Sequence, residues 1–519
     1  MRVLFPTGTA FFLVATLGPT VAVSGDAKPE PAAVTRLIDE AVQKRIDAKK
    51  VPVSPVASDA EFIRRVYLDI AGEIPPLTRV QAFFESKEPD KRAKLIDELL
   101  ACPEYARRMT DIWKGLLLPN TAASARQKHD PFVQWLEKGF AENKRFDALA
   151  RDVLTASGMQ DEHGAVTFFM THESVDEITD RVARVFLGVQ IQCAQCHKHP
   201  FGDWTQADYW GMAAFFTKVK PLYVKEGTVQ RYGAKEDNAP KSKPLLMVPP
   251  SRKDVPPTFL RGEKANVPAE GPYLPVLAEW IASPKNPYFA RAGVNRVWRQ
   301  FFGRGLVNPV DDMTDENKSS HPELLTELAR EFAANGFDFK HLIRGICNSA
   351  AYQRTSKPVE GNADDKTLYS HMAVRVQTPF QLFDSLEVVF ALANNEKTPP
   401  PTDATRKVKA GERGRFAVFF RGEDDADPAD YEAGIPQVLY LMNSGHHYKI
   451  AKAANEVVAK KKTPESITET MFLATLSRLP TDQETKKVLD YIARAPDKRS
   501  AYHDVLWTLL NLTEFLSNH

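Results

Sequence analysis

Apolar residues recur at helical spacing along most of this 519-residue chain, and proline or glycine cuts nearly every run short. Val34, Leu37, Ile38, Ala41, Val42 and Ile46 place one apolar stripe on a helix over 32–49. Gly72, Pro75, Pro76 and Pro103 then hold the following helices to a few turns each. Capping pairs mark the starts: Ser58 with Glu61, Thr78 with Gln81, Thr205 with Asp208, and Thr481 with Glu484, with Asp90 and Ser320 as single caps. The pattern predicts a mainly α fold of two helical domains, 25–217 and 274–519, joined by an irregular Pro/Lys-rich segment with a few short strands over 218–273. Within that segment 221–225 and 244–248 are the strand candidates, whereas 157–169 reads as loop and 398–414 as a flexible insertion. The 43% apolar fraction is ample for proper cores.

The first residues read as an export leader. Arg2 supplies a positive start, 10–17 is a short apolar run, and Ala22 and Ser24 are the small residues of a cleavage site. A signal peptide is therefore expected over 1–24, and the mature protein in the periplasm or outside the cell. The apolar run is too short to span a bilayer, and no later stretch approaches the needed length. With 68 basic against 67 acidic residues there is no overall field to attract nucleic acid, and no recognition-helix or zinc-finger pattern is present.

Between 193 and 199 stand Cys193, Cys196, His197 and His199, two of the chain's four cysteines and two of its twelve histidines. The spacing C-x-x-C-H is that of covalent haem c attachment. Two thiols three residues apart share one side of a helical turn, and the following imidazole can serve as axial ligand to the iron. Cys193, Cys196 and His197 are thus the candidate cofactor-binding residues, and haem c the expected cofactor. Zinc or iron held with the help of His197 and His199 stays open, although four ligands within seven residues would strain a tetrahedron. So does a plain Cys193–Cys196 disulfide with no cofactor at all. A redox dithiol enzyme is disfavoured, because 180–189 approaches the motif with helical rather than strand spacing. Cys102 and Cys347 either pair or stay as lone thiols.

Other candidates are weaker. A sixth iron ligand would come from His172, His446, His447 or a methionine such as Met212. The loop 311–317 concentrates Asp311, Asp312, Asp315 and Glu316, but lacks the glycine and closing glutamate of an EF-hand, and reads as a capped, solvated turn. The aromatic helix carrying Tyr209, Trp210, Phe215 and Phe216 reads as a buried face. No phosphate cradle, G-x-S-x-G elbow or H-E-x-x-H helix occurs, so no catalytic residue is assigned.

Several stretches resemble known families. FIRRVYLD at 62–69, VFLGVQIQCAQCH at 185–197 and HPF at 199–201 are similar to a secreted planctomycete family of unknown function, DUF1549. NPYFAR at 286–291, NRVW at 295–298, FGRGL at 302–306, SHPELL at 320–325 and the ending with Asn511, Phe515 and His519 resemble a second, DUF1553, which normally follows it. The resemblance implies association with a cytochrome c domain, hence a redox or cytochrome-domain partner, but no established activity. Here the leader is expected to run directly into the first family. Members of the family tend to carry an acidic residue where Lys198 stands and again near Gly202; if a carboxylate there helps to orient a ligand, this chain lacks that support. Three functions follow: an exported haem c protein for electron transfer or oxidation, a Cys/His metal enzyme acting on extracellular polysaccharide, and a non-catalytic envelope scaffold.

Overall fold

The computed structural model describes residues 31–119, 129–172, 174–200, 202–237, 255–262, 264–268, 270–393, 403–420 and 446–519. The leader 1–24, the strand candidate 244–248 and the segment 422–445 before His446 lie outside them. The fold is mainly α, with two small antiparallel sheets. Among the described residues no helix is long and apolar enough to cross a membrane.

The predicted first helix forms over Pro31–Lys49, and its stripe of Val34, Ile38, Val42 and Ile46 is buried. It lies against the helices Pro322–Ala334 and Phe339–Asn348. Gly345 permits that approach: a β-carbon there would run into Val34, and Thr35 Oγ1 donates to the Gly345 carbonyl at 3.0 Å. Phe146 is the hub of this core. It stacks on Phe289 at 4.3 Å between ring centres and touches Trp113, Phe332 and Phe339. The larger hydrophobic core therefore draws on residues from 34 to 372 of the chain, with Leu473 added. A second core gathers the helices Pro379–Phe390, His447–Lys460, Pro464–Leu476 and Lys498–Leu510 around Leu68 and Ile74.

The helix Asp59–Ile70 ties the two cores together through buried charge. Arg64 donates to the carbonyls of Thr475 at 2.9 Å and Phe515 at 2.7 Å. Arg65 donates to those of Tyr352 and Arg354 and to His519. Burial lowers both guanidinia, Arg64 to about 10, which leaves Arg64 cationic at neutral pH. Asp69 accepts from Arg375, Tyr352 and Asn518. Arg375 and Asn518 pair in the two-stranded ribbon of Arg375–Val376 with Ser517–Asn518. The 62–69 stretch is thus a clamp on the chain's last residues.

The expected short strands appear as a hairpin, Val219–Glu226 with Val229–Glu236, turned at Gly227 and extended by Gly158–Met159. Two expectations are overturned here: 157–169 is not loop throughout, since it holds the strand Gly158–Met159, a 3-10 turn at Gly164–Val166 and the start of the helix Thr167–Thr171. Most of the stretch 398–414 is not a flexible insertion, because a helix covers Asp403–Phe420. Arg413 forks between Asp111 and Asp384, and Phe416 is buried, so tertiary contacts override the Gly-rich, basic composition.

Candidate functional site

The approach to the motif is set by a helix that ends abruptly. Ser174 caps the helix Val175–Val182 by accepting from the Glu177 amide, and the chain continues as one wide π turn, Ala183–Leu187. It stops at Gly188, whose φ of +66° favours glycine and whose missing β-carbon leaves room for Met313. Val189 and Ile191 are fully buried and fix the next residues. A single 3-10 turn follows over Gln192–Gln195, capped by Cys196. In a 3-10 turn residues three apart stand above one another, so Cys193 and Cys196 share a side. Both are free thiols and both are exposed, while Ala194 between them is buried and anchors the turn.

His197 is exposed too, and its Nδ1 lies 2.7 Å from the Lys198 carbonyl. A carbonyl only accepts, so Nδ1 carries the proton and Nε2 keeps its lone pair. That is the tautomer in which an imidazole ligates through Nε2 while its other nitrogen is held by a backbone oxygen. His199 differs: it is buried, and the charge it faces is that of Asp312. Lys198 pairs with Asp203 at 3.8 Å, and both are well exposed, so the pair contributes little.

Two side chains from the helix Gln206–Ala213 hold the turn in place. Trp210 Nε1 donates to the Gln195 carbonyl at 3.1 Å, and Gln206 Nε2 donates to that of Cys196. The predicted Thr205–Asp208 capping box forms and starts this helix. The return of the chain is closed by His199 N donating to Trp204 O at 3.0 Å. Trp204 is buried under the Arg261 guanidinium, 4.6 Å from its ring centre.

The carboxylate loop is not the solvated turn its composition suggests; its first half is packed against the motif's approach. Met313 N donates to Gly188 O at 2.9 Å. Asp311 accepts from Arg184 and from Gln190, each at 3.0 Å. Burial would raise Asp311, but Arg296, Gln190 and Arg184 hold its carboxyl below the usual value. Asp312 goes the other way, raised by burial and by the neighbouring charge of Asp311.

The structure thus brings Cys193, Cys196 and His197 to one exposed face and turns His199 inward. Among the described residues no three His, Cys, Asp or Glu side chains are placed to hold a metal ion. His172 is buried elsewhere, against Phe168. His446 packs on Phe390 in the second core, His447 is exposed, and Met212 is fully buried. Cys347 is a buried lone thiol, and Cys102 donates to Leu99 O. The supporting roles of Gln206, Trp210 and Asp311 carry no motif of their own. Only the Thr205 cap hinted that a helix starts beside the motif.

Residues 37–221 match the family model PSCyt2, a protein of unknown function (DUF1549), and residues 275–432 match PSD1, a protein of unknown function (DUF1553). The chain carries both domain families, in that order. No curated protein and no solved structure matches it. The C-x-x-C-H turn lies in the PSCyt2 region and the Asp311 loop in the PSD1 region, so the second supports the first across the contact described above.

Proposed function

We propose that this chain is an exported haem c protein that passes electrons to or from a partner, or supports an oxidation. Cys193 and Cys196 would hold the group through their sulfurs, and His197 would supply an imidazole ligand to its iron. The observation that supports this most is the joint exposure of two thiols on one side of a 3-10 turn with a histidine whose Nε2 is left free by the Lys198 carbonyl. When bound, an iron porphyrin supplies one-electron chemistry. The chain's own residues do the rest: Trp210 and Gln206 fix the carbonyls of the turn, Ala194 pins it to the core, and Asp311 with Arg184 steadies the π turn that precedes it. An exposed site is open to a protein partner. Export fits the leader read over 1–24, because haem is attached to such motifs outside the bacterial cytoplasm and thiols pair readily there.

The Cys/His metal reading is less well supported, because His199 faces inward toward Asp312 while the other three groups face out. Full-length protein made in a cytochrome-maturing host tests the proposal through its pyridine haemochrome spectrum. A haem c spectrum that disappears in a Cys193→Ser/Cys196→Ser variant is expected. A colourless protein contradicts it; zinc or iron without porphyrin would then select the metal reading, and loss of two hydrogens the disulfide.

A further inference from the structure

A groove of about 440 Å³ runs between the helices Pro31–Lys49 and Pro322–Ala334. That volume lies in the range of small-molecule sites, roughly 300–1,000 Å³. Lys44, Arg45 and Lys49 line it from the first helix, with Glu40 one turn before Lys44, and Glu323 and Glu327 line it from the second. Leu37, Ala41, Arg45 and Ala48 recur at helical spacing, so they share one face of the first helix. Leu324 adds an apolar side chain from the second.

Opposite charges thus line opposite sides of one groove, yet they do not meet. Among the described residues the side chains of Glu40, Lys44, Arg45, Lys49 and Glu323 make no ion pair or hydrogen bond, and Glu327 pairs only with Arg330 of its own helix. Exposure is not the reason. Arg151 reaches Glu279 on a neighbouring helix at 2.9 Å although that acid is 70% exposed, and Arg344 reaches Asp97 in the same way. The two walls stand too far apart for direct pairing, and a small molecule carrying both charges would bridge the gap.

We propose that the groove binds a free α-amino acid with an apolar side chain, its carboxylate held by Arg45 with Lys44 and Lys49, its ammonium by Glu323 and Glu327, and its side chain against Leu37, Ala41 and Leu324. A guanidinium meets a carboxylate through two parallel hydrogen bonds, and a carboxylate accepts from an ammonium, so each end of the zwitterion gains a charge-assisted partner. Arg45 is half-buried, which strengthens its bond relative to the exposed Lys44 and Lys49. An anion alone would face the acidic wall unpaired and a cation alone the basic one, so the walls select against both. None of the cysteines takes part, and the site stands whether or not a haem is attached.

Leucine, N-acetyl-leucine and leucinamide, titrated by calorimetry into the full-length protein at neutral pH, separate the requirements. Leucine is expected to bind about tenfold more tightly than N-acetyl-leucine, which lacks the ammonium, and than leucinamide, which lacks the carboxylate. Arg45→Met should weaken leucine about tenfold and leave leucinamide unchanged. A Glu323→Gln/Glu327→Gln variant should weaken leucine and leave N-acetyl-leucine unchanged. The comparison of the three compounds on the wild-type protein stands even if a variant does not fold. No binding of leucine, equal affinity of the three compounds for the wild-type protein, or a folded Arg45→Met variant that binds leucine as tightly as wild type would each overturn the proposal.

Discussion

Asp69→Asn keeps the shape of a side chain that is 1% exposed and removes its charge. In the native protein the carboxylate accepts from Arg375 Nη2 at 2.8 and 3.1 Å, from Tyr352 OH at 2.8 Å and from Asn518 Nδ2 at 2.7 Å. An asparagine offers one oxygen and an amide that faces these same donors, so at least one contact becomes donor against donor. Arg375, only 20% exposed, also loses its ion partner. Breaking a buried pair in this way costs about 3–5 kcal/mol. Because Arg375 and Asn518 face each other in the two-stranded ribbon, the loss should fall first on residues 513–519. Hydrogen exchange at Gln377, whose amide donates to Leu516 O at 2.9 Å, reads it directly. Protection there should drop by about a hundredfold or more, since each 1.4 kcal/mol is a factor of ten. A change below about fivefold would refute the view that buried charge on the Asp59–Ile70 helix holds the chain's end.

Three further outcomes follow from the same structure. Burial lowers both His172 and His321 to about 4, so the unfolded chain takes up protons first on acidification and stability falls between pH 6.5 and 4, by up to about 3 kcal/mol per histidine. A His321→Phe variant should lose stability less steeply over that window, and an unchanged slope in urea titrations at several pH values would contradict this. Glu73 is raised to about 7, chiefly by burial, with Arg107 opposing, so the unfolded state loses its proton first and stability declines as pH rises from 4.5 to 7. Glu73→Gln should flatten that decline, by up to about 3 kcal/mol at pH 8 in denaturant melts, and no change would count against the assignment. Gly188→Val forces a β-branched residue to positive φ and into Met313, so it should cost roughly 2 kcal/mol or more; a melting temperature equal to wild type would show that the turn before the motif tolerates rearrangement.

Local signals in the sequence were readable where a few neighbouring residues decide the outcome. The Thr205–Asp208 and Thr481–Glu484 boxes form as their spacing predicts, because both hydrogen bonds lie within four residues. Ser58 does accept from Glu61 N, but the Glu61 carboxylate goes to Arg65, Thr355 and Ser356 instead of back to the cap. Ser320 does not cap its helix, which starts at Pro322 behind His321. These departures share a cause: a distant partner outbids the local one. The same holds for Arg64 and Arg65, whose acceptors lie hundreds of residues away, and for Asp311, whose acidic neighbours suggest solvent until Arg184 and Gln190 are placed beside it. The helix over Asp403–Phe420 was hidden by composition and is held by Arg413. The cysteine spacing, by contrast, was plain in the sequence, and the structure adds that the turn faces outward.

The most direct test of the haem c proposal is the intact mass of full-length protein purified from a cytochrome-maturing host, with the peptide bearing Cys193 and Cys196 identified after digestion. The proposal predicts a chain heavier by one haem, with the addition mapped to that peptide and resistant to acid–acetone extraction. A polypeptide of unmodified mass with both thiols free to alkylation would contradict it.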